Sequence, residues 1–258
     1  MMVSLIRAAD YGLRRHAPAA SWERMKSRRL LLIAAAVGGA AVLAVVLILV
    51  ASSGSSKSST TTDSTDTSAS SSPQALFAGI PQSGDTVGKP SAPATMLVFE
   101  DPQCPYCQEW TLNDLPTVVD QFVRPGQLKL RYRGIEIIGP NSVKGLRAVF
   151  AAGEQNRLWE FSSALYEMQG TENSGWITND VILRAAKSAG ADGPAILAAS
   201  PTKAVTAQLA RAESDAQTYQ VQGTPTFVIE KPPALPQQLN VTSLDPGTFA
   251  SELQAALQ

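Results

Sequence analysis

Cysteine and histidine are almost absent from this chain. Its 258 residues include two cysteines, Cys104 and Cys107, and one histidine, His16. Two cysteines cannot build a disulfide framework, so this is not a small stapled scaffold. A tetrahedral structural zinc site needs four protein ligands, and a thiol protease needs a histidine base. Charge is sparse as well: 17% of residues are charged and the net charge is −1, so no global field draws the chain to nucleic acid.

Charge and proline are both missing from residues 30–51, LLLIAAAVGGAAVLAVVLILVA. As a helix this run would be about 33 Å long, enough to cross a hydrocarbon core of roughly 30 Å. It exceeds the apolar stretch of about 7–15 residues typical of a cleaved signal peptide, so an uncleaved signal-anchor is expected. Residues 1–29 form a basic tail, with Arg7, Arg14, Arg15, Arg24, Lys26, Arg28 and Arg29 against Asp10 and Glu23. The basic flank is expected in the cytoplasm, with everything after residue 51 outside a cell membrane that is expected to be bacterial. His16 then lies across the membrane from both cysteines. Residues 52–74 are rich in serine and threonine and nearly devoid of apolar side chains, which predicts a flexible tether. The globular domain is expected over 75–258.

Within it, Thr95–Glu100 reads as a buried strand that Asp101-Pro102 ends, and Pro105 suits the first turn of a helix. Trp110, Leu112, Leu115, Val118, Val119 and Phe122 follow at helical spacing, with Pro116 predicting a kink or break. Residues 127–133 alternate like a half-buried strand, with Arg131 and Arg133 on its solvated face. That completes a β-α-β unit. A helical region spans about 142–219. Residues 224–230 return to strand character, LNVTS (239–243) suits a partner strand, and Asp245-Pro246 starts a last helix. The fold class is α/β with an all-helical insertion.

The two cysteines occur as Cys104-Pro105-Tyr106-Cys107, at the expected junction of strand and helix. There, unpaired N–H groups and the positive end of the helix dipole stabilise a thiolate at Cys104. Cys107 sits one turn inside and is expected to be less exposed. A merely structural bridge over so short a loop would contribute little. Spacing and position point to a redox pair, with no metal and no cofactor expected.

The run GDTVGKPSAPATMLVFEDPQCPYC resembles the entry to DsbA-type thiol-disulfide oxidoreductases of the thioredoxin superfamily. Gly223-Thr224-Pro225-Thr226-Phe227 is similar to that family's cis-proline segment, and RLWEFSSALYEMQ to its helical insert. The resemblance covers about 80–258. It implies a thioredoxin fold with a cis bond before Pro225, and a substrate chain paired against Thr224 and Pro225. Several thioredoxin-fold enzymes carry a buried carboxylate six residues before the first cysteine; that position here is Val98. Glu100 and Asp101 are the neighbouring candidates for proton handling, and Asp101 matches an acidic residue common in anchored members.

The expected function is an extracytoplasmic disulfide oxidase that introduces disulfides into exported, cysteine-containing proteins. Since the chain has no second redox pair, a membrane redox partner would reoxidise it. The central Pro105-Tyr106 is shared with glutaredoxins and keeps a reductase or isomerase open. A peptide-binding module without turnover is the reading from another class.

Overall fold

The computed structural model describes residues 72–258. The expected basic tail, the span at 30–51 and the tether up to residue 71 lie outside the described residues. Among the described residues, no helix is long and apolar enough to cross a membrane.

A short helix α1 (Pro73–Phe77) precedes two two-residue strands, β1 (Gln82–Ser83) and β2 (Thr86–Val87). Strand β3 (Ala94–Glu100) follows, buried at every position. It is central: it pairs in parallel with β4 (Leu128–Gly134) and antiparallel with β5 (Thr226–Glu230). The edge β6 (Gln237–Gln238) completes a six-stranded sheet of order β1-β2-β4-β3-β5-β6. A strand with neighbours on both sides and helices on both faces has no polar side to present, which explains the continuous apolar run.

Between β3 and β4 the chain runs through α2 (Pro105–Glu109), a π-helical segment (Trp110–Asp114), α3 (Leu115–Val118) and a second π segment (Val119–Val123). The break expected at Pro116 is instead a widening. Pro116 has no N–H and its ring crowds the preceding turn. The helix makes room by a π turn in which the Leu115 amide bonds the Trp110 carbonyl. Between β4 and β5 lie α4 (Asn141–Gly153), α5 (Leu158–Glu167), α6 (Asn179–Ala189), α7 (Gly193–Ala199) and α8 (Lys203–Thr218). Thr178, Asp192 and Thr202 cap the last three. The closing helix α9 (Pro246–Ala256) starts where expected, with the Asp245 carboxylate accepting from the Thr248 amide at 3.0 Å.

Register assigns the faces. Val98 lies opposite both Tyr132 and Phe227, so these three and Glu100 share one face. Trp110, Phe227 and Phe249 pack there with ring centroids 4.9–6.2 Å apart, and Tyr132 packs on Phe150 and Trp159. The other face carries Phe99 and Arg133 under α8 and Tyr219. Two expectations are corrected here. Arg133 is buried, not solvated: its Nη1 lies 2.6 Å from Asp85 and its Nε 2.5 Å from Asp215. A guanidinium fork held by two carboxylates can occupy a face that alternation alone marks as wet. The partner strand of β5 is Gln237–Gln238, and LNVTS forms no strand; Leu239 adds one bond, to the Phe227 carbonyl, before the chain departs toward α9.

Candidate functional site

Strand β3 delivers the chain to the C-terminal edge of the sheet, where Asp101-Pro102 ends it. Cys104 is the N-cap residue of α2 in extended conformation, Pro105 is its first residue, and Cys107 lies one turn in. This is the order proline favours, since the first helical residue needs no N–H partner. Both cysteines are free and buried, while Tyr106 between them is 64% exposed.

The two thiols differ sharply. Cys104 is lowered to about 6 from its ordinary value, first by the hydrogen bond from the Cys107 thiol, then by the Thr224 side chain and the amides of Cys107 and Tyr106. Burial opposes this shift and is outweighed. As a thiol, Cys104 donates to the Thr224 carbonyl at 3.1 Å. The Thr224 hydroxyl is buried and has no other partner, so it is free to serve the thiolate. The Thr224–Pro225 bond is cis, and this segment stands directly against Cys104 just before β5. Cys107 is pushed well above its ordinary value, mainly by burial.

Glu100, the last residue of β3, is 1% exposed. Burial lifts its carboxyl to about 8, against the opposing hydrogen bond that Thr111 Oγ1 donates to Oε1 at 2.9 Å. The charges of Glu100 and Cys107 disfavour one another. Glu100 therefore supplies a buried acid next to the cysteines, two residues along the strand from Val98 and on the same face. The parity of 98 and 100 could have shown this. Gly134 lies directly opposite Glu100 in β4, and a side chain there would run into Leu146 and the Tyr132 ring at 2.5–2.7 Å.

Asp101 is also fully buried but has a different role. Its Oδ1 accepts from the Gln103 amide at 2.8 Å and the Ser142 hydroxyl at 2.6 Å. Its Oδ2 accepts from the amides of Ile137 and Ile138 at 2.8 and 2.9 Å. With every acceptor position engaged it ties the loop before Cys104 to the segment after β4. Its place beside the CPYC stretch suggests proton handling; its four donors fit a bracing role.

Sequence reasoning did not single out the residues that hold this loop from the insertion. Tyr166 packs on both cysteines, and its hydroxyl donates to the Asp101 carbonyl at 3.1 Å. Gln169 Nε2 donates to the carbonyls of Pro102 and Cys104 at 2.9 and 3.0 Å. Gln103 reaches Ser142 and Asn173. Tyr166 and Gln169 fall inside RLWEFSSALYEMQ, but helical periodicity gives no sign of contacts with a loop some sixty residues earlier.

The thioredoxin family model matches residues 82–233. The probable disulfide bond formation protein D of Bacillus cereus is 30% identical over 104 residues, which are 40% of this chain and 48% of that protein. The disulfide bond formation protein D of Bacillus subtilis is 27% identical over 150 residues, 55% of this chain and 66% of that protein. The match thus spans about half the length of the first relative and about two thirds of the second. The crystal structure of oxidised BdbD from Bacillus subtilis superposes with a TM-score of 0.58 at 19% identity, covering 69% of this chain and 97% of that one, a likeness of fold.

Proposed function

The chain belongs to the thioredoxin family, DsbA-like in fold, and from that premise we propose that it is a thiol-disulfide oxidoreductase acting as an oxidase through Cys104 and Cys107. The observation that carries this reading is the contrast between the two thiols. Cys104 is stabilised as a thiolate at a helix N-terminus, while Cys107 is buried and reluctant to ionise. A stabilised thiolate favours the reduced enzyme, which makes the disulfide a strong oxidant.

In the oxidising direction the resting enzyme holds a Cys104–Cys107 disulfide. A substrate thiolate attacks Cys104 Sγ, the S–S bond breaks, and Cys107 leaves with the electron pair. Cys107 takes a proton from Glu100, the buried acid whose charge it senses. A second substrate thiolate then attacks the substrate sulfur of the mixed disulfide and expels Cys104 as a thiolate. The substrate has lost two electrons and gained a disulfide, and the enzyme holds a dithiol. The Thr224-Pro225 segment beside Cys104 offers backbone to which an extended substrate chain can add. The disulfide formation proteins of the two Bacillus species support oxidation as the direction. The apolar run at 30–51 and its basic flank support anchoring in a cell membrane, with the domain outside and exported cysteine-containing proteins as substrates. A membrane redox partner would restore the disulfide.

The decisive measurement is the reduction potential of the pair in the full-length chain, equilibrated against glutathione. A value near about −120 mV fits a disulfide donor, and one near about −270 mV would make the protein a reductase instead.

A further inference from the structure

On the substrate-facing side both thiols are buried and leave little opening toward Glu100. Cys104 is 3% exposed and Cys107 is wholly buried, and a substrate held in a mixed disulfide covers that face further. Yet on the reading above Glu100 gives up a proton in each cycle and must recover it.

One residue, Thr111, 3% exposed, both touches Glu100 and lines an opening to solvent. Thr111 donates to Glu100 Oε1 at 2.9 Å. It also lines a groove of about 1010 Å³ on the flank of the domain, bounded by the active-site helix, α1, α5 and the segment before α9. Thr111 lies in the first π segment, where the chain widens ahead of Pro116. Single π turns in α-helices are frequent at functional sites. Ser163 of α5 lines the same groove; its hydroxyl is buried and has no partner. Glu167, exposed, lies one turn further along α5 in the same wall. The titratable groups that sense Glu100 from the elements packed around it are Cys104 and Cys107 of α2, Tyr132 of β4 and Tyr166 of α5.

We infer that Thr111 is the positioning and proton-relay residue of the site, holding the Glu100 carboxyl and linking it through the flanking groove to solvent. This rests on Glu100 being the proton donor to Cys107. A hydroxyl can accept from groove water while donating to the carboxylate, so one proton moves in as another moves on. A methyl group in its place can do neither. The π turn thereby gains a function: it presents a helix residue to the end of the strand on one side and to the groove on the other.

The test is the pH profile, from about pH 6 to pH 10, of exchange between the oxidised full-length chain and a small dithiol. It compares wild type, Thr111→Val, Thr111→Ser and Glu100→Gln, with Thr111→Ala in reserve should the valine not fold. Wild type should show an inflection near 8 that Glu100→Gln lacks. Thr111→Val should move that inflection up by about one to two pH units, the loss of a hydrogen bond to a charged group, and should slow exchange at pH 7 by about tenfold. Thr111→Ser should keep both wild-type features. Thr111→Val with inflection and rate within twofold of wild type overturns the inference. So does a shifted inflection at unchanged rate, since Thr111 would then be a hydrogen-bond partner and no relay. A Glu100→Gln profile superposing on wild type would instead sink Glu100 as the donor, whatever Thr111 does.

Discussion

Glu100 and Asp101 are neighbours in the chain, and neither carboxyl reaches solvent. Asp101 receives four hydrogen bonds, three from backbone amides and one from Ser142. Glu100 receives one, from Thr111. The difference follows from the end of β3. Glu100 still belongs to the pleat and points into the layer between sheet and helix, where backbone donors are consumed by the strands and by the helix itself. Asp101 is the first residue past the ladder and points toward loops with amides to spare. A buried carboxyl with four donors is tied in place and braces what surrounds it; burial with a single donor holds the Glu100 carboxyl near the point where it can give or take a proton. One residue of chain separates a carboxyl that braces a loop from one that burial readies for the proposed proton transfer.

The comparison can be broken most directly at Asp101. Asp101→Ala leaves four donors facing an empty space and should cost about 3–5 kcal/mol of stability, read from denaturant unfolding. A loss under about 1 kcal/mol would mean that the loop is held without it. Glu100→Gln should behave in the opposite way. The carboxyl's folded value of about 8 lies above its ordinary 4.5. Its stabilising contribution is therefore complete below about pH 4.5 and is lost as pH rises toward 8. In the oxidised chain, where the cysteines do not titrate, wild type should lose stability between pH 5 and pH 8 by more than the glutamine variant does. At pH 8 the variant should be the more stable by about 1–3 kcal/mol, since a buried ionised carboxylate with one donor is costly. Equal pH slopes for the two proteins would show that Glu100 is not held protonated. The smallest effect is expected at Tyr106, which lies between the cysteines but is mostly exposed. Tyr106→Ala should change stability by no more than about 0.5 kcal/mol, and a larger loss would mean that the dipeptide stiffens the site as well as facing solvent.

Much of the frame was legible in the residues. Proline after Cys104, the apolar Met96–Phe99 run of β3, and Asp245-Pro246 before a helix each act through local sterics or patterning, and both are visible in a sequence. Glu100 was half legible: its parity with Val98 places it on the inner face, but its lack of donors depends on which helix covers that face. The remaining features were hidden because they are made by distant parts of the chain. Arg133 looks like a solvated strand residue until Asp85 and Asp215 arrive from a hairpin and from α8. Pro116 announces a disturbance but not that the helix continues through it with wider turns, since that outcome depends on the packing around the proline. Tyr166 and Gln169 reach back to the loop before Cys104 across the whole of β4 and α4.

The sheet ends at both edges in strands of two residues, β1 and β6. An edge that short presents few unpaired backbone groups, so a stray extended chain finds almost nothing to add to there. Next to Cys104, by contrast, the half-buried Thr224-Pro225 segment leads into β5. On the proposed function the protein would meet unfolded chains, and a long open edge would make it a template for their aggregation. Short rims would discourage strand pairing away from the site, and on the proposed function a visiting chain would pair beside Cys104, where it can react and leave.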